Sequence, residues 1–418
     1  MKNKKLTFID LFAGCGGLSE GFIMSGKYDA LAHVEWEIPM VRTLRSRLEK
    51  KWKHTNEDAF KRVVHFDIQK TDELINGKWG EKTVKIFGET NHKAVLEKGL
   101  KGLVGERNVD LVIGGPPCQA YSVAGRAQDK NSMKDDYRNY LFESFTKVVK
   151  EFKPSVFVFE NVPGILSACP GDKKVTDRIF DYFNKHGYDI KRPEELKSAV
   201  QTASDFGVPQ KRNRVIIVGI RRRDKTENFN LEQVYAAINR QKTKTPTTLR
   251  QAISHLPKFK PAKEIVRING RKYSHTSLDI NETIEENHKP RFHNERDVKV
   301  FEEWVLRNMN KRPMEERIQF YNNLLGKNSK HAKYRNLEWD KPSQTIVAHL
   351  YKDGLMFIHP DANQARSITV KEAALIQSFP DDFEFNESMG YNYKMIGNAV
   401  PPLMAEKIAL AIYKVLIT

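Results

Sequence analysis

Short apolar runs alternate with amphipathic helical patterns through the first half of the chain, and this alternation restricts the fold more than any other feature. Runs typical of buried strands cover 6–12, 110–113 and 155–159, and apolar residues recur at helical spacing over 141–152 before Pro154. Strands separated by helices form parallel βαβ units. The sequence therefore predicts an α/β fold.

The regular alternation ends near Arg222, beyond which the chain is polar, basic and irregular. The segment 241–340 contains 21 basic and 13 acidic residues, in a chain of 418 residues with a formal charge of +17. Such a surplus favours polyanionic partners, although an ordinary solvated face would have the same composition. We expect residues 1–221 and 345–418 to form one domain and residues 222–344 a smaller one.

Several classes of protein are disfavoured. No apolar run approaches the ~20 residues that cross a bilayer, and the first residues, MKNKK, lead directly into a strand without the apolar core of a secretory signal. We therefore expect a cytoplasmic protein. Cys15, Cys118 and Cys169 lack the paired spacing of a disulfide framework or a zinc site, which predicts free thiols and no metal.

A glycine-rich turn follows the first predicted strand, and Glu35 ends the second. Glycines let a backbone approach a ligand, and a carboxylate at that strand end can accept hydrogen bonds from ribose hydroxyls. Because the turn departs from the GxGxxG spacing of dinucleotide sites, S-adenosylmethionine fits as well or better. Asp67 can bind the adenine amino group. A turn that only connects strand and helix is the alternative.

Further motifs lie beside other predicted strands. The run GGPPCQAYS places Cys118 just beyond a strand's carboxyl end, where open α/β sheets hold ligands. A thiolate there can act as a nucleophile, although a buried structural cysteine is common. Glu160 should share this cleft and, when protonated, can donate to a ring nitrogen; a helix cap or an ion pair is the alternative. Arg212 and Arg214 alternate onto one face and can clamp a carbonyl oxygen, a carboxylate or a phosphate, unless they lie on a solvated edge.

Together these motifs resemble the cytosine C5 DNA methyltransferases of bacterial restriction-modification type, over nearly the whole chain. The matching segments are 12–18, 114–122, 160–162, 210–214, 366–383 and 397–402. The resemblance implies a Rossmann-like S-adenosylmethionine-dependent methyltransferase domain and a smaller, irregular target-recognition domain over 222–344. Its substrate would be a cytosine flipped out of double-stranded DNA.

The resemblance also implies residue roles. Cys118 would add to C6 of cytosine, Glu160 would bind N3 and the amino group, Arg214 would hold O2, and Arg212 would order the site. The implied cofactor pocket consists of Phe12, Ala13, Gly14, Cys15, Gly16, Gly17, Leu18, Glu35, Trp36, Asp67, Ile68, Pro117, Leu141, Asn398 and Ala399. The run 121–139 looks like a loop that closes over DNA, with Ser122, Arg126 and Lys130 as phosphate contacts. Residues 69–109 exceed what compact family members need and predict a helical insertion.

We therefore expect a monomer that methylates double-stranded DNA, releases S-adenosylhomocysteine, and protects self-DNA against a cognate endonuclease that acts independently. A tRNA cytosine C5 methyltransferase is the alternative of the same chemistry. A non-catalytic DNA-binding protein is the alternative of a different class. A dinucleotide-dependent oxidoreductase would leave the Pro-Pro-Cys run and the basic segment without a role.

Overall fold

The computed structural model describes residues 5–117, 141–268, 270–278, 283–331, 333–352 and 354–417. The chain divides into two compact units. The first consists of Met1–Gly207, Arg212–Lys244 and Ala399–Thr418, and the second of Val208–Lys211 and Thr245–Asn398. Residues 222–244 thus belong to the first unit and residues 345–398 to the second, so the units differ from the predicted domain boundaries. Target recognition by residues 222–344 stays a prediction.

The first unit contains a sheet with the strand order β3-β2-β1-β4-β5-β8-β6, and β7 also pairs with β8. The strands β1 to β5 are parallel, whereas β8 is antiparallel to β5, β6 and β7. This arrangement confirms the α/β prediction. The strands are β1 Leu6–Leu11, β2 Tyr28–Glu35, β3 Val63–His65, β4 Leu111–Gly114, β5 Val156–Asn161, β6 Tyr188–Asp189, β7 Val200–Thr202 and β8 Asn213–Arg221.

Helices cover both units, and the segment 69–109 is helical as expected. In the first half of the chain they are α1 Gly17–Met24, α2 Ile38–Lys50, α3 Asn56–Arg62, α4 Thr71–Asn76, α5 Glu81–Phe87, α6 Lys93–Val104, α7 Leu141–Phe152 and α8 Val175–Lys185. Later ones are α9 Leu231–Arg240, α10 Leu249–Ile253, α11 Glu295–Leu306, α12 Met314–Leu325, α13 Val370–Ile376, α14 Met389–Asn398 and α15 Pro402–Leu416. No helix of the described residues is long and apolar enough to span a membrane.

The final helix packs against α1 within the first unit, and a glycine of α1 permits their close approach. A Cβ atom at Gly21 would lie 2.5 Å from Cβ of Ala405 and 2.5 Å from the backbone N of Glu406, both in the final helix. The same final helix contacts α9. This contact explains why residues 222–244 belong to the first unit.

The second unit contains an antiparallel hairpin, β9 Phe259–Ile268 and β10 Arg271–Ser277. An apolar cluster around the buried residues Phe301 and Trp304 forms part of its core. Residues 343–348 form no strand, and Ser343 makes an isolated bridge with Gln210.

Charged and titratable side chains are also buried in the second unit. The guanidinium of Arg366 and the carboxylate of Glu372 form two hydrogen bonds of 2.7 Å, and both residues are almost fully buried. Burial opposes ionisation of Glu372, but Arg366 outweighs it and keeps the pKa of this carboxyl below its usual range. Burial, with Arg366 adding to the effect, lowers the pKa of His275 to about 4, of His359 to about 3 and of His293 to about 2. These three histidines are therefore neutral at pH 7.

We predict that the second unit loses stability in mild acid. Unfolded histidines take up protons near pH 6.5, whereas the three buried ones do so only near pH 4 or below. The contribution of these histidines to the free energy of unfolding is therefore fully present above pH 6.5. It declines as the pH falls towards 4, by about 1.4 kcal/mol per pH unit for each histidine.

Hydrogen exchange of α11 and α13, corrected for intrinsic rates, should be markedly faster at pH 5 than at pH 7. His275→Gln should weaken this pH dependence, whereas replacement of the exposed His331 by Gln should leave it unchanged. Equal protection at the two pH values would contradict the prediction.

Candidate active site

The candidate site lies in the first unit, at the carboxyl ends of β1, β4 and β5. In the strand order the chain proceeds outward from β1 through β2 to β3, and in the other direction through β4 to β5. Open α/β sheets bind ligands beyond the strand ends at this point of reversal. The turn 12–17 follows β1, and residues 115–117 follow β4. The predicted glycine turn and the start of the predicted cysteine motif therefore meet at one edge of the sheet.

The turn after β1 has a left-handed backbone at three positions, Phe12, Gly14 and Gly16, with φ values of 59°, 58° and 93°. Glycine adopts this conformation readily, but Phe12 does so at a cost of order 1–3 kcal/mol. The backbone N–H of Gly14 donates to Oε2 of Glu35 over 2.8 Å. The turn is thus fixed by a side chain from the neighbouring strand.

Glu35 connects this turn with the end of β2. Its Oε1 accepts hydrogen bonds of 2.8 Å from the backbone N–H groups of Trp36 and Glu37. Burial raises the pKa of Glu35, and the three backbone N–H groups act against that rise. A carboxylate has about four acceptor directions, so most of its capacity holds the backbone. The sequence predicted Glu35 as a ribose acceptor, and its role in shaping the turn was missed.

Other residues predicted for the cofactor pocket differ in exposure. Trp36 is 56% exposed, and Asp67 is half-buried, with Oδ1 accepting a hydrogen bond from the Gln69 N–H. Burial raises the pKa of the Cys15 thiol far above its usual range, so Cys15 is an inert core residue. The side chains of four further residues are also buried, namely Ala13, Leu18, Ile68 and Leu141.

Glu160 and Arg214 form a buried ion pair beside the end of β4. Nε of Arg214 lies 2.5 Å from Oε1 of Glu160, and both side chains are about 10% exposed. Nη1 of Arg214 also donates to the carbonyl O of Asn213 over 2.8 Å. A Cβ atom at Gly115 would lie 2.6 Å from Oε2 of Glu160, so this glycine provides the space that the carboxylate occupies. The sequence did not single out Gly115 for this role.

Asn161 ties the backbone after β4 to the end of β5. Its Nδ2 donates to the carbonyl O of Pro116 over 3.1 Å, and its side chain is buried. Arg212 is almost fully buried, and Pro117 is half-buried. Glu160, Asn161 and the backbone that leads to position 118 are therefore held together, as a pair of neighbouring parallel strands predicts.

Several predicted residues lie outside the described part of the chain, namely Cys118, Ser122, Arg126 and Lys130, together with the predicted loop 121–139. Ala399 lies next to Gly17 in the first unit. Asn398 ends α14 and belongs to the second unit. The roles predicted for all these residues stay predictions.

Comparison with known proteins gives consistent matches. A family described as C-5 cytosine-specific DNA methylase matches residues 79–414. Type II methyltransferase M.Bpa9945I of Bacillus paralicheniformis is 34% identical over 98% of each chain. Type II methyltransferase M1.HphI of Haemophilus parahaemolyticus is 29% identical, covering 98% of this chain and 87% of its own. A solved E. coli prophage-encoded chain, described as a DNA modification methyltransferase, aligns with a TM-score of 0.60 at 22% identity, over 99% of this chain and 100% of its own.

We predict that removing one member of the Glu160–Arg214 pair destabilises the first unit more than removing both. Arg214→Met would leave a buried carboxylate without its cation and should lower the free energy of unfolding by about 3–5 kcal/mol. Adding Glu160→Gln should recover part of this loss. Urea unfolding of the wild type, both single variants and the double variant gives the coupling energy.

The exposed pair Lys173–Asp181 of the same unit provides a control, since Lys173→Met should change the stability little. If the losses of unfolding free energy from Glu160→Gln and Arg214→Met are strictly additive in the double variant, the ion pair contributes nothing to stability.

Proposed function

This chain belongs to the C-5 cytosine-specific DNA methylase family, and we propose that it transfers a methyl group from S-adenosylmethionine to C5 of cytosine in duplex DNA. The observation that carries the proposal is the buried Glu160–Arg214 pair, packed against Gly115 three residues before Cys118. The pair presents an acidic and a basic hydrogen-bonding group next to the start of a thiol-bearing segment. Recognition of a cytosine ring requires hydrogen-bonding groups of both kinds.

We propose that three side chains act on the base and that a fourth orders the site. The Cys118 thiolate forms a bond to C6, which makes C5 electron-rich, and Glu160 donates to N3 while it accepts from the amino group. Arg214 holds O2, and the buried Arg212 orders the site. After C5 gains its methyl group, loss of the C5 proton to a base restores the ring double bond and expels the Cys118 thiolate. Because the ring faces are covered in a duplex, the cytosine must leave the stack.

The residues at the glycine turn fit S-adenosylmethionine. Its nucleoside would contact the backbone at Gly14, the exposed ring of Trp36 and the carboxylate of Asp67. The sequence contains no GxGxxG motif, the pattern that binds a pyrophosphate at a helix N-terminus. When bound, the cofactor supplies an electrophilic methyl group. The product, S-adenosylhomocysteine, would leave from the same pocket.

We propose that the hairpin β9–β10 contacts the DNA. The hairpin contains five basic residues and one acidic residue, all exposed: Lys260, Lys263, Arg267, Arg271, Lys272 and Glu264. A two-stranded ribbon fits the major groove, and exposed basic side chains neutralise phosphates. The hairpin lies within residues 222–344, for which the family resemblance predicts target recognition.

The cellular role is proposed from the relatives, which are named as type II methyltransferases. On that ground we propose that the modification protects self-DNA from a cognate restriction endonuclease in the cytoplasm, at the nucleoid. We propose a monomer, because methylation of one strand at a time needs no second active site.

The proposed reaction is tested by transfer of a labelled methyl group to unmethylated plasmid DNA, followed by bisulfite sequencing. We expect C5-methylcytosine in one sequence context. Cys118→Ala should abolish the transfer because it removes the nucleophile, whereas Cys169→Ala, which removes an exposed free thiol, should retain it. Labelling of tRNA instead of DNA, or duplex binding without any transfer, would overturn the proposal.

Removing basic side chains from the hairpin should reduce the salt dependence of DNA binding. For Lys263→Ala/Lys272→Ala, the slope of log K against log[salt] should fall by up to about 2, since each phosphate contact contributes about 0.9. Fluorescence anisotropy of a labelled duplex at several salt concentrations measures this slope. The control Lys82→Ala/Lys85→Ala removes two exposed lysines from α5. Equal slopes for the two double variants would place the DNA elsewhere.

A further inference from the structure

The helical insertion 69–109 packs against the segment that would hold adenine. Trp79 and Phe87 of the insertion contact Phe66, with ring centroids 4.4 Å and 5.3 Å apart. All three rings are buried, and Phe66 directly precedes Asp67. The insertion therefore supports the backbone at Asp67 from the interior of the first unit.

His65, the last residue of β3, connects the insertion with Trp36. Its Nε2 lies 2.9 Å from the carbonyl O of Trp36, and its Nδ1 lies 2.7 Å from Oγ1 of Thr90. Burial lowers the pKa of His65, and Arg45 adds to the effect, so the ring is neutral at pH 7. A neutral ring can donate Nε2–H to the Trp36 carbonyl and accept at Nδ1 from the Thr90 hydroxyl, whose single proton is shared with the carbonyl O of Phe87, 3.0 Å away.

Asn91 of the insertion holds the main chain of His65. Its Oδ1 accepts from the His65 N–H over 2.9 Å, and its Nδ2 donates to the His65 carbonyl O over 2.7 Å. Nη2 of Arg45 adds hydrogen bonds to the carbonyl groups of Val63 and Thr90, at 2.6 Å and 2.8 Å. β3 is the strand at one end of the sheet order. The insertion covers it and forms hydrogen bonds with backbone groups that would be unpaired in an exposed edge strand.

The insertion is itself rigidly packed. A Cβ atom at Gly99, where α6 is kinked at a φ of 58°, would lie 2.5 Å from the carbonyl O of Leu74 in α4. Oγ1 of Thr83 in α5 donates to Oε2 of Glu73 in α4 over 2.6 Å. The three helices are therefore fixed to one another, and Thr90 is presented to His65 by a well-packed element.

We infer that the insertion 69–109 is a positioning element for the cofactor's nucleoside: Thr90 and Asn91 orient His65, and His65 holds the backbone of Trp36. Trp36 then presents its exposed ring to adenine. The inference rests on the proposed function, since it takes the nucleoside to bind beside Trp36 and Asp67. His65, Thr90 and Asn91 are positioning residues that act through Trp36 and touch neither the methyl group nor the cytosine.

Thr90→Val tests the inference, because it keeps the side-chain shape and removes the hydroxyl proton. Titration calorimetry should show S-adenosylhomocysteine bound about three- to tenfold more weakly, the effect of one lost hydrogen bond. Thr90→Ser should restore the wild-type affinity. The KM for S-adenosylmethionine should rise with Thr90→Val, while kcat at saturation and the affinity for duplex DNA should be unchanged. Ile86→Ala, on the exposed face of the same insertion, should leave all four values unchanged.

Wild-type affinity for S-adenosylhomocysteine in Thr90→Val would overturn the inference and leave the proposed function intact. A fall in kcat without a rise in KM would also overturn it. Failure of the wild type itself to bind S-adenosylhomocysteine would instead overturn the proposed function. Should Thr90→Val not fold, His65→Phe provides the same test, since it retains the ring contact with Phe87 and loses both ring hydrogen bonds.

Discussion

The close pairing of β1 with β4 is the contact on which the candidate site depends. Leu11 is paired with Gly114, and a Cβ atom at Gly114 would lie 2.5 Å from the carbonyl O of Leu11. Only glycine fits there. The next residue, Gly115, leaves room for the carboxylate of Glu160 on the neighbouring strand. Two consecutive glycines therefore bring the ends of β1, β4 and β5 together, and a side chain at either position would separate the glycine turn from the cysteine motif.

The elements around this contact are fixed by polar groups as well as by apolar packing. Glu20 of α1 is buried and forms a 3.0 Å hydrogen bond with Nε of Arg47 in α2 and another of 3.0 Å with Nε1 of Trp52. Glycines on α1 admit the C-terminal helix. Since the glycine turn lies between β1 and a helix fixed in this way, the strained φ of Phe12 is maintained by its surroundings.

The sequence predicted most of the parallel sheet, because a strand buried on both faces has an apolar run that is readable without its neighbours. The direction of β8 was not predictable, since a buried strand has the same composition whether it runs parallel or antiparallel. The grouping of residues 222–244 with the first unit was not predicted, because α9 packs on the final helix, which is distant in sequence. Glu35 was found as a strand-end carboxylate, but its three backbone donors depend on a turn conformation that no local pattern specifies.

The buried Glu160–Arg214 pair is better explained by recognition than by stability. Taking two charges out of water costs several kcal/mol per ion, and a well-packed apolar pair of similar size is often as stable. Under the proposed function the pair has a use that apolar residues lack. Glu160 in its protonated form offers one donor and one acceptor, which match N3 and the amino group of cytosine, while Arg214 offers a donor to O2. Thymine presents the opposite pattern at N3 and at its 4-position oxygen, so binding it would leave buried polar groups unpaired. Sites that hydrogen-bond a substrate in this way reject an analogue with the wrong groups by about 10⁴-fold or more. Under the proposed function, selectivity for cytosine is therefore the reason to keep this polar pair in a buried site.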